Sequence, residues 1–579
     1  MSAELRRARN RQMIIFLLVC LAMLGLLGRL YYWQVLQSHS GYRLADQANA
    51  EHIQNLILDA PRGLIFDAQG RILATNVVRD DVYIEPIQFA QDHPDASQAE
   101  LNALVHNLHQ ILPAVSEDSL GKAFNSGRPT VRIATSIDPA QSQRLRSLRL
   151  PDVFLQPRTQ RTYPAGNLAA QILGFVQNGQ GVYGVEGKYN TLLSGKPGSF
   201  TAETDLNGNP LTVGASAEQK AVNGANLTLT IDSTVQYMVQ TALANIVQET
   251  QAQGGTVVIL NARTGAVVAM AGEPTFDPNH YGDFADKKGC LGSEDVYFNP
   301  ALYCAYEPGS TMKSVTMAAA LDQKLITPDT TLQDPGYITF PDAPTVYNWE
   351  NRGYGTETMT GVLEHSANVG AAYVADKILG ADRFYPYLKK FGFGQTTGLV
   401  SPEASGGYRS TTSADWTPSD LTRQAFGQSI QATPLQMAMV YQAIANGGVM
   451  MRPYLLASVN NNGRVIATQP QELRRVIGVD AAQQLTGMLV SAANFNQQAT
   501  FPGYSVAVKT GTATTQGLDM DQTEASMAGF VPASNPQFVI LVKIDRPQTT
   551  IYGGTAAGPL WRSIAQQLVW HYSIPPDQA

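Results

Sequence analysis

The chain has 579 residues, of which 44% are hydrophobic and 15% are charged, so it is long enough for two or three globular domains and too apolar to be disordered. Its formal net charge is −7 and no dense Lys/Arg run follows the N-terminal tail, which excludes nucleic acid as the main partner. The sequence lacks the G-x-x-x-x-G-K-[ST], H-E-x-x-H and C-x-x-C patterns of nucleotide, zincin and thioredoxin sites.

The first predicted element is a membrane anchor. Residues 13–28 form an uninterrupted apolar run, and the aromatic residues Tyr31, Tyr32 and Trp33 extend it to the length that a bilayer needs. Bulky residues stand where a signal peptide would carry its small-residue cleavage site. Four arginines precede the run: Arg6, Arg7, Arg9 and Arg11. We predict a cytoplasmic tail over residues 1–12, one retained transmembrane helix over 13–33, and the rest of the chain outside the cytoplasm.

The segment after the anchor is predicted to be a separate, non-catalytic domain over residues 43–220. Residues 60–76 read as two strands joined by a tight turn at Gln69-Gly70, and apolar residues at helical spacing predict a helix over 97–112. Residues 198–224 are polar and rich in Gly, Asn and Thr, which suits either an extended linker or a long hairpin.

A second domain is predicted over residues 225–575. Asp232 or Ser233 caps a helix with one apolar stripe, and residues 254–272 read as a hairpin with its turn at Thr264-Gly265. Three successive strands and a closing helix over 556–572 are predicted near the C-terminus. This order indicates one sheet covered by helices from both ends of the domain.

The segment "YEPGSTMKS" places Ser310 three residues before Lys313, at the start of a largely apolar helix. Burial disfavours the charged form of a lysine, and a neutral lysine beside a serine on a helix is able to act as a base. Ser119 and Lys122 repeat the Ser-x-x-Lys spacing, but no apolar run follows them, and we interpret that copy as a polar turn.

Two further motifs follow in order. "EHSANVG" contains Ser366 and Asn368, and "VKTGTA" contains Lys509, Thr510, Gly511 and Thr512 on the first of the three C-terminal strands. Ser-x-x-Lys, Ser-x-Asn and Lys-Thr-Gly in this order are typical of penicillin-recognising serine enzymes. A second Ser-x-Asn, at Ser458 and Asn460, runs into "NNGRV" and is interpreted as a hairpin turn. A Ser-His-Asp site using His365 is disfavoured because no G-x-S-x-G elbow is present, and Glu364 is interpreted as a cap or a surface charge.

The sequence resembles the class B penicillin-binding proteins, which are monofunctional peptidoglycan D,D-transpeptidases. The resemblance rests on the three motifs, on "NPALYCAY" before "EPGSTMK", and on Arg62-Gly63, "RTYPAG" and "GVEGKY" in the preceding domain. It implies a multidomain α+β protein with a single N-terminal transmembrane helix, an elongated dimerisation-type pedestal domain and a C-terminal transpeptidase domain with a serine β-lactamase-like sheet covered by helices. We expect no glycosyltransferase domain before the pedestal and no repeats after the closing helix. "SANVG" is similar to division-type members.

The resemblance also implies roles for the motif residues. Ser310 would attack a D-Ala-D-Ala stem peptide and release D-alanine, with Lys313 as general base. Ser366 would relay a proton to the departing amine, and Asn368 would hold Lys313 and the substrate backbone. Lys509, Thr510, Gly511 and Thr512 form the substrate-binding strand, where Lys509 and the two threonines would receive the terminal carboxylate. The backbone N–H groups of Ser310 and Thr512 would form the oxyanion hole.

The implied partners are stem peptides, lipid-linked glycan strands, β-lactams, the membrane, a polytopic membrane glycosyltransferase and other division or elongation proteins. Neither a cofactor nor a metal is implied. Two alternative functions remain: a D,D-carboxypeptidase or β-lactamase-type hydrolase, which needs no anchor or pedestal, and a non-catalytic cell-wall scaffold or sensor.

Three cysteines are present: Cys20 in the anchor, and Cys290 and Cys304 shortly before Ser310. An oxidising compartment favours a Cys290–Cys304 disulfide. Two buried free thiols remain the alternative, because sequence spacing does not establish the geometry of a bond.

Overall fold

The computed structural model describes residues 3–32, 53–150, 152–203, 216–290, 294–514 and 522–578. Trp33, the first ten residues of the predicted pedestal and the middle of the 198–224 segment lie outside the described residues. The chain divides into two compact units: residues 1–60 with 195–223, and residues 61–194 with 224–579.

In the first unit, an uninterrupted helix spans Ala3–Tyr31. Its stretch Arg9–Tyr31 has a mean hydropathy of 2.5 and is long and apolar enough to cross a membrane. The same unit contains an antiparallel three-stranded sheet, in the order Ile53–Leu58, Gly198–Glu203 and Ser216–Gln219. The last two strands pair with each other in antiparallel, so the described parts of the polar 198–224 segment agree with the long-hairpin alternative and not with an extended linker.

A seven-stranded sheet in the second unit continues from the predicted pedestal into the C-terminal domain. The short strand Ile65–Phe66 pairs in parallel with Asn226–Leu229, which follows the predicted domain boundary. The other members are Ile72–Ile84, Val131–Ile137, Val153–Thr162, Leu456–Asn461 and Arg464–Ala467. Leu227 and Ile65 are fully buried in the same apolar cluster, so these two parts of the chain share one core.

The pedestal part has a smaller core of its own beneath four helices: Pro86–Asp92, Gln98–Ile111, Glu117–Phe124 and Pro139–Leu148. The predicted helix over 97–112 is confirmed, and Ser97 caps it in a reciprocal capping box with Glu100. The interpretation of Ser119 and Lys122 as a polar turn is wrong, because both lie in the helix Glu117–Phe124 that Ser116 caps.

The family-like stretches of the pedestal meet at one buried carboxylate. Glu186 is fully buried and accepts hydrogen bonds from Arg62 Nε at 2.7 Å and Arg161 Nε at 2.6 Å. A buried carboxylate held by two guanidinium groups has its charge compensated, and the distant stretches "PRG", "RTYPAG" and "GVEGKY" are thereby fixed to each other.

The C-terminal domain is built on a five-stranded antiparallel sheet, in the order Val267–Glu273, Gly254–Asn261, Phe538–Asp545, Thr523–Val531 and Ala507–Thr514. The helices Ser233–Glu249 and Gly558–His571 cover one face, around the fully buried Trp561. Asp232 caps the first of them, as predicted. The helices Lys313–Asp322 and Pro434–Ala445 belong to the core on the other face. The predicted sheet covered by helices from both ends of the domain is confirmed.

The remaining elements are helical segments and pairs of short strands. The helical segments are Ala170–Leu173, Gly184–Lys188, Asn190–Leu193, Pro278–Phe284, Pro300–Tyr303, Gly309–Met312, Met359–Glu364, Asn368–Tyr373, Val374–Leu379, Ala381–Lys390, Pro418–Gln424, Val479–Asn496 and Gly553–Ala556. The paired strands are Phe175–Gln177 with Gln180–Val182, Thr331–Asp334 with Gly355–Thr358, Tyr337–Phe340 with Ala343–Tyr347, Gly407–Tyr408 with Ile430–Gln431, and Val449–Met451 with Glu472–Arg475.

Candidate active site

Ser310 lies in a short 3-10 turn, Gly309–Met312, that leads directly into the helix Lys313–Asp322. Lys313 is completely buried, and its Nζ donates a hydrogen bond to Ser310 Oγ at 2.8 Å. Gly309 has a left-handed φ of +57°, and a side chain there would place Cβ 2.8 Å from the backbone oxygen of Thr512. Only glycine therefore allows the turn to lie this close to the Lys-Thr-Gly strand.

Ser366 lies between the helices Met359–Glu364 and Asn368–Tyr373, and Asn368 is the first residue of the second helix. Ser366 has a φ of +55°, a left-handed conformation that is uncommon for a residue other than glycine. Lys313 Nζ donates to Ser366 O at 2.5 Å and to Asn368 Oδ1 at 2.8 Å, and it lies 3.2 Å from Ser366 Oγ. The buried Lys313 thus forms hydrogen bonds to residues of both the Ser-x-x-Lys and the Ser-x-Asn motifs.

Lys509 brings the third motif to the same place. It is 2% exposed on the strand Ala507–Thr514, and its Nζ donates to Ser366 Oγ at 2.9 Å. Ser366 Oγ therefore lies between the Nζ atoms of two lysines. A Cβ on Gly511 would lie 2.4 Å from Ser526 Oγ and 2.7 Å from Pro308 O, so glycine is needed where this strand passes the turn before Ser310.

Burial shifts the pKa values of both lysines of the site. Burial lowers the pKa of Lys313 well below its ordinary value, the nearby charge of Lys509 lowers it further, and only Glu357 opposes the shift. Burial also lowers the pKa of Lys509, to about 7. A lysine whose pKa is lowered in this way and that touches a serine hydroxyl is able to accept its proton.

A cavity of about 460 Å³ opens beside these motifs. Among its lining residues are Ser310, Ser366, Asn368, Thr510 and Thr512, together with aromatic residues that no sequence motif indicated: Trp349, Phe426 and Tyr552. The rings of Trp349 and Tyr552 lie 5.7 Å apart, and about half of each residue is exposed. Over the described residues, no group of three or more His, Cys, Asp or Glu is arranged to hold a metal ion.

Two interpretations of the residues near the motifs need correction, and the structure shows the contacts of His365. Glu364 is neither a cap nor a simple surface charge, because it lines the cavity and accepts a hydrogen bond from Ser491 Oγ at 2.5 Å. His365 Nδ1 lies 3.2 Å from Glu357 Oε2, and its ring stacks on Tyr354. Ser458 and Asn460 lie in the strand Leu456–Asn461 rather than in the hairpin turn that follows.

Cys290 and Cys304 form a disulfide, with their Cα atoms 5.4 Å apart. Cys304 ends the short helix Pro300–Tyr303, and two residues later Tyr306 exchanges backbone hydrogen bonds with Ala432. The segment that leads into Ser310 is therefore fixed both covalently and by backbone pairing.

Removing this disulfide is expected to destabilise the folded protein. The two cysteines are 14 residues apart, and closing a loop of that size contributes roughly 3 kcal/mol to the free energy of unfolding in the chain-entropy model. We expect a Cys290→Ser, Cys304→Ser double variant to lose stability of that order in denaturant titrations, while Cys20→Ser in the apolar helix serves as the control. Alkylation of both thiols in untreated protein that folded outside the cytoplasm would contradict this expectation.

Two family models match successive parts of the chain. The penicillin-binding protein dimerisation domain matches residues 57–229, and the penicillin binding protein transpeptidase domain matches residues 255–566. A relative named penicillin-binding protein PbpB, from Mycolicibacterium smegmatis, is 34% identical over 79% of this chain and 72% of its own length. The chain belongs to the penicillin-binding protein family. The peptidoglycan D,D-transpeptidase FtsI of Escherichia coli is 29% identical over 97% of this chain and 92% of its own length.

Solved structures of other penicillin-binding proteins have the same fold. The crystal structure of penicillin binding protein 3 from Mycobacterium tuberculosis in complex with aztreonam aligns with a TM-score of 0.67 at 26% identity. The alignment covers 90% of this chain and 98% of the other. This penicillin-binding protein therefore has a dimerisation domain followed by a transpeptidase domain. One candidate membrane helix precedes them among the described residues.

Proposed function

We propose that this penicillin-binding protein is a peptidoglycan D,D-transpeptidase that cross-links stem peptides by serine acyl transfer during septal cell-wall synthesis. The observation that carries the proposal is the contact of Lys313 Nζ with Ser310 Oγ, Ser366 and Asn368 Oδ1 inside one cavity. The match to a relative named peptidoglycan D,D-transpeptidase FtsI over nearly the whole chain supports the transpeptidase activity, and the similarity of "SANVG" to division-type members favours the septal role.

In the acylation step, Lys313 accepts the proton of Ser310 while Ser310 Oγ attacks the carbonyl carbon of the penultimate D-alanine. The backbone N–H groups of Ser310 and Thr512 stabilise the oxyanion that develops. Collapse of the tetrahedral intermediate breaks the peptide bond, and D-alanine leaves after its amine takes a proton through Ser366. The 2.9 Å contact from Lys509 and the 3.2 Å contact from Lys313 suit Ser366 Oγ for this relay.

The substrate's terminal carboxylate binds to Lys509, Thr510 and Thr512 on the edge strand, whose Gly511 permits close approach to the nucleophile turn. Asn368 orients both Lys313 and the substrate backbone, and it is itself held by a hydrogen bond from its Nδ2 to Tyr347 O at 3.1 Å. An amine of a neighbouring stem peptide then attacks the acyl-enzyme and releases Ser310. A β-lactam imitates the D-Ala-D-Ala end and acylates the same serine.

The experiment that tests this function is a reconstituted cross-linking assay. Full-length protein is combined with lipid-linked disaccharide pentapeptide and a polytopic membrane glycosyltransferase, and the digested products are separated by mass. We expect cross-linked dimers and released D-alanine in matching amounts. Free tetrapeptide without dimers would favour the hydrolase alternative, and unchanged pentapeptide would favour the non-catalytic scaffold.

The proposal also includes a membrane glycosyltransferase as partner and an orientation of the chain in the membrane. The N-terminal helix carries Arg9 and Arg11 at its start and Arg29 near its end, and we propose that the arginine-rich start lies in the cytoplasm and the catalytic site outside. Cross-linking then occurs where a membrane glycosyltransferase delivers nascent glycan strands. The anchor and the pedestal are the surfaces offered to that enzyme, because neither contains a residue of the three motifs.

The rate of acylation is expected to depend on pH through the two lysines. Acylation requires neutral Lys313 and charged Lys509, so the second-order rate constant rises as Lys313 loses its proton and falls as pH rises through about 7, where burial has placed the pKa of Lys509. In Lys509→Arg the guanidinium keeps its charge, and we expect the falling limb to move up by at least about one pH unit. Fluorescent-penicillin acylation rates between pH 5.5 and 10 measure this, with Lys122→Arg as control. An unmoved limb in Lys509→Arg would exclude Lys509 as the titrating group.

A further inference from the structure

A second cavity, of about 550 Å³, lies in the pedestal part, away from the three motifs. It is bordered by the helices Pro86–Asp92 and Gln98–Ile111 and by the start of the strand Val153–Thr162. Apolar side chains contribute to its wall: Phe89, Leu104, Phe124, Leu150 and Val153. Phe89 packs with its ring centroid 4.9 Å from that of His93 and 5.1 Å from that of Phe124, so part of this wall is aromatic.

The polar part of the wall is acidic. Four carboxylates line the cavity, Asp92, Asp95, Glu100 and Asp152, and its lining residues include no lysine or arginine. Two of the four already have partners: Glu100 accepts from Ser97 N, and Asp92 accepts from Gln88 Nε2. Both donors are neutral, so the negative charge of the wall is not compensated by them.

Asp152 is the decisive residue, because it is buried and incompletely paired. Its side chain is 5% exposed, and Oδ2 lies 3.5 Å from Nε2 of His93. The other oxygen, Oδ1, is buried without a hydrogen-bond partner. Burial raises the pKa of this carboxyl, which is the direction expected for a charge that lacks full compensation. An unsatisfied buried acceptor costs free energy that a bound donor would recover.

We propose that this pedestal cavity binds the guanidinium group of an arginine side chain presented by a partner protein outside the cytoplasm. Because Oδ1 is buried, the Asp152 carboxylate rotates toward the cavity to accept from the guanidinium, which faces the other carboxylates while its alkyl stem packs on Leu104 and Val153. The aromatic wall at Phe89 and His93 suits a planar cation better than an ammonium group. A metal ion fits less well, since no metal-binding cluster of His, Cys, Asp or Glu exists over the described residues.

The test uses full-length protein in detergent micelles and a small probe, N-acetyl-arginine N-methylamide. Its matched control is the citrulline analogue, which has nearly the same shape and no charge. Titrations followed by saturation-transfer difference NMR give the dissociation constants. We expect the arginine probe to bind at least tenfold more tightly than the citrulline probe, and the difference to shrink at high salt because the attraction is electrostatic.

Variants locate the binding. Asp152→Asn keeps the side-chain shape and is expected to weaken the arginine probe at least tenfold. Leu104→Trp, which fills the cavity without changing its charge, is expected to do the same. Asp118→Asn is the control, because Asp118 is an exposed carboxylate on the neighbouring helix that pairs with Lys122. Circular dichroism melting curves report whether the pedestal of every variant is folded. Penicillin labelling reports the separate transpeptidase site and is expected to be unchanged, so a failure here is distinguishable from a failure of the proposed transpeptidase function.

The proposal is overturned by any of three results: equal binding of the two probes, undiminished binding to the folded Asp152→Asn variant, or equal weakening in Asp118→Asn. Binding of Zn²⁺ at this cavity without binding of the arginine probe would also overturn it.

Discussion

Replacing Ser310 by alanine is expected to abolish both cross-linking and penicillin labelling. The substitution removes the one hydroxyl oxygen that Lys313 Nζ contacts at 2.8 Å within the turn Gly309–Met312. In serine acyl-transfer enzymes, loss of the nucleophile lowers the rate by roughly a million-fold, which places the remaining activity below detection. Alanine fits the start of a helix, so we expect the fold, membrane insertion and partner co-purification to persist.

The chain provides a matched control for this variant. Ser119 has the same spacing to a lysine, but its Oγ lies 2.8 Å from Ser116 Oγ on an exposed pedestal helix, and Lys122 pairs with Asp118 instead. Ser119→Ala is expected to leave labelling unchanged. Growth supported by Ser310→Ala as the sole copy, with no other transpeptidase compensating, would contradict the enzymatic function and favour a scaffold.

Replacing Lys313 by methionine is expected to lower the acylation rate constant by roughly two to four orders of magnitude, the range that a general base contributes. Methionine is unbranched and apolar and fills much of the space of the lysine stem, but it neither accepts the proton of Ser310 nor donates to Ser366 O and Asn368 Oδ1. The rising limb of the pH profile should disappear together with the activity.

A second substitution separates proton transfer from charge. Lys313→Arg keeps a positive charge at this position, but the guanidinium does not lose its proton. We therefore expect its acylation rate constant to be as low as that of Lys313→Met. Lys122→Met, at the exposed copy of the motif, is the control. Retention of more than about a tenth of the acylation rate by Lys313→Arg would show that the positive charge, rather than base catalysis, is what the site requires.

Much of the architecture was predictable because its signals are local. The apolar run before residue 32, the capped helix after Asp232 and the short C-terminal strands are each evident from their own segment of sequence, and the structure contains each of them. The motif order also predicted that Ser310, Lys313, Ser366 and Lys509 approach each other, and the hydrogen bonds of Lys313 and Lys509 bring them together.

Other features depend on distant contacts that no local pattern indicates. The left-handed φ of Ser366 has no signature in "HSANV", and the cavity residues Trp349 and Tyr552 are recognised only when the chain brings them together. Lys543 is a further case: it reads as one polar residue in an apolar strand, yet it is completely buried and pairs with Glu524 at 2.6 Å and with Asp545. Such a cluster is visible only from the pairing of the two strands.

A long-range strand pairing also crosses the predicted boundary between the pedestal and the transpeptidase domain. Because Asn226–Leu229 pairs with Ile65–Phe66, a chain that starts near Asn226 would lose a sheet neighbour and expose Leu227. We therefore expect such a fragment to be less stable than the whole chain, and we prefer full-length protein for every test of function.

The most direct measurement is the location of the acyl group itself. Full-length protein is incubated briefly with penicillin, and its intact mass and proteolytic peptides are determined by mass spectrometry. We predict one adduct per chain, on the peptide that contains Ser310, and none in Ser310→Ala. An adduct on Ser119 or Ser366, or no adduct on the folded protein, would contradict serine acyl transfer at this site.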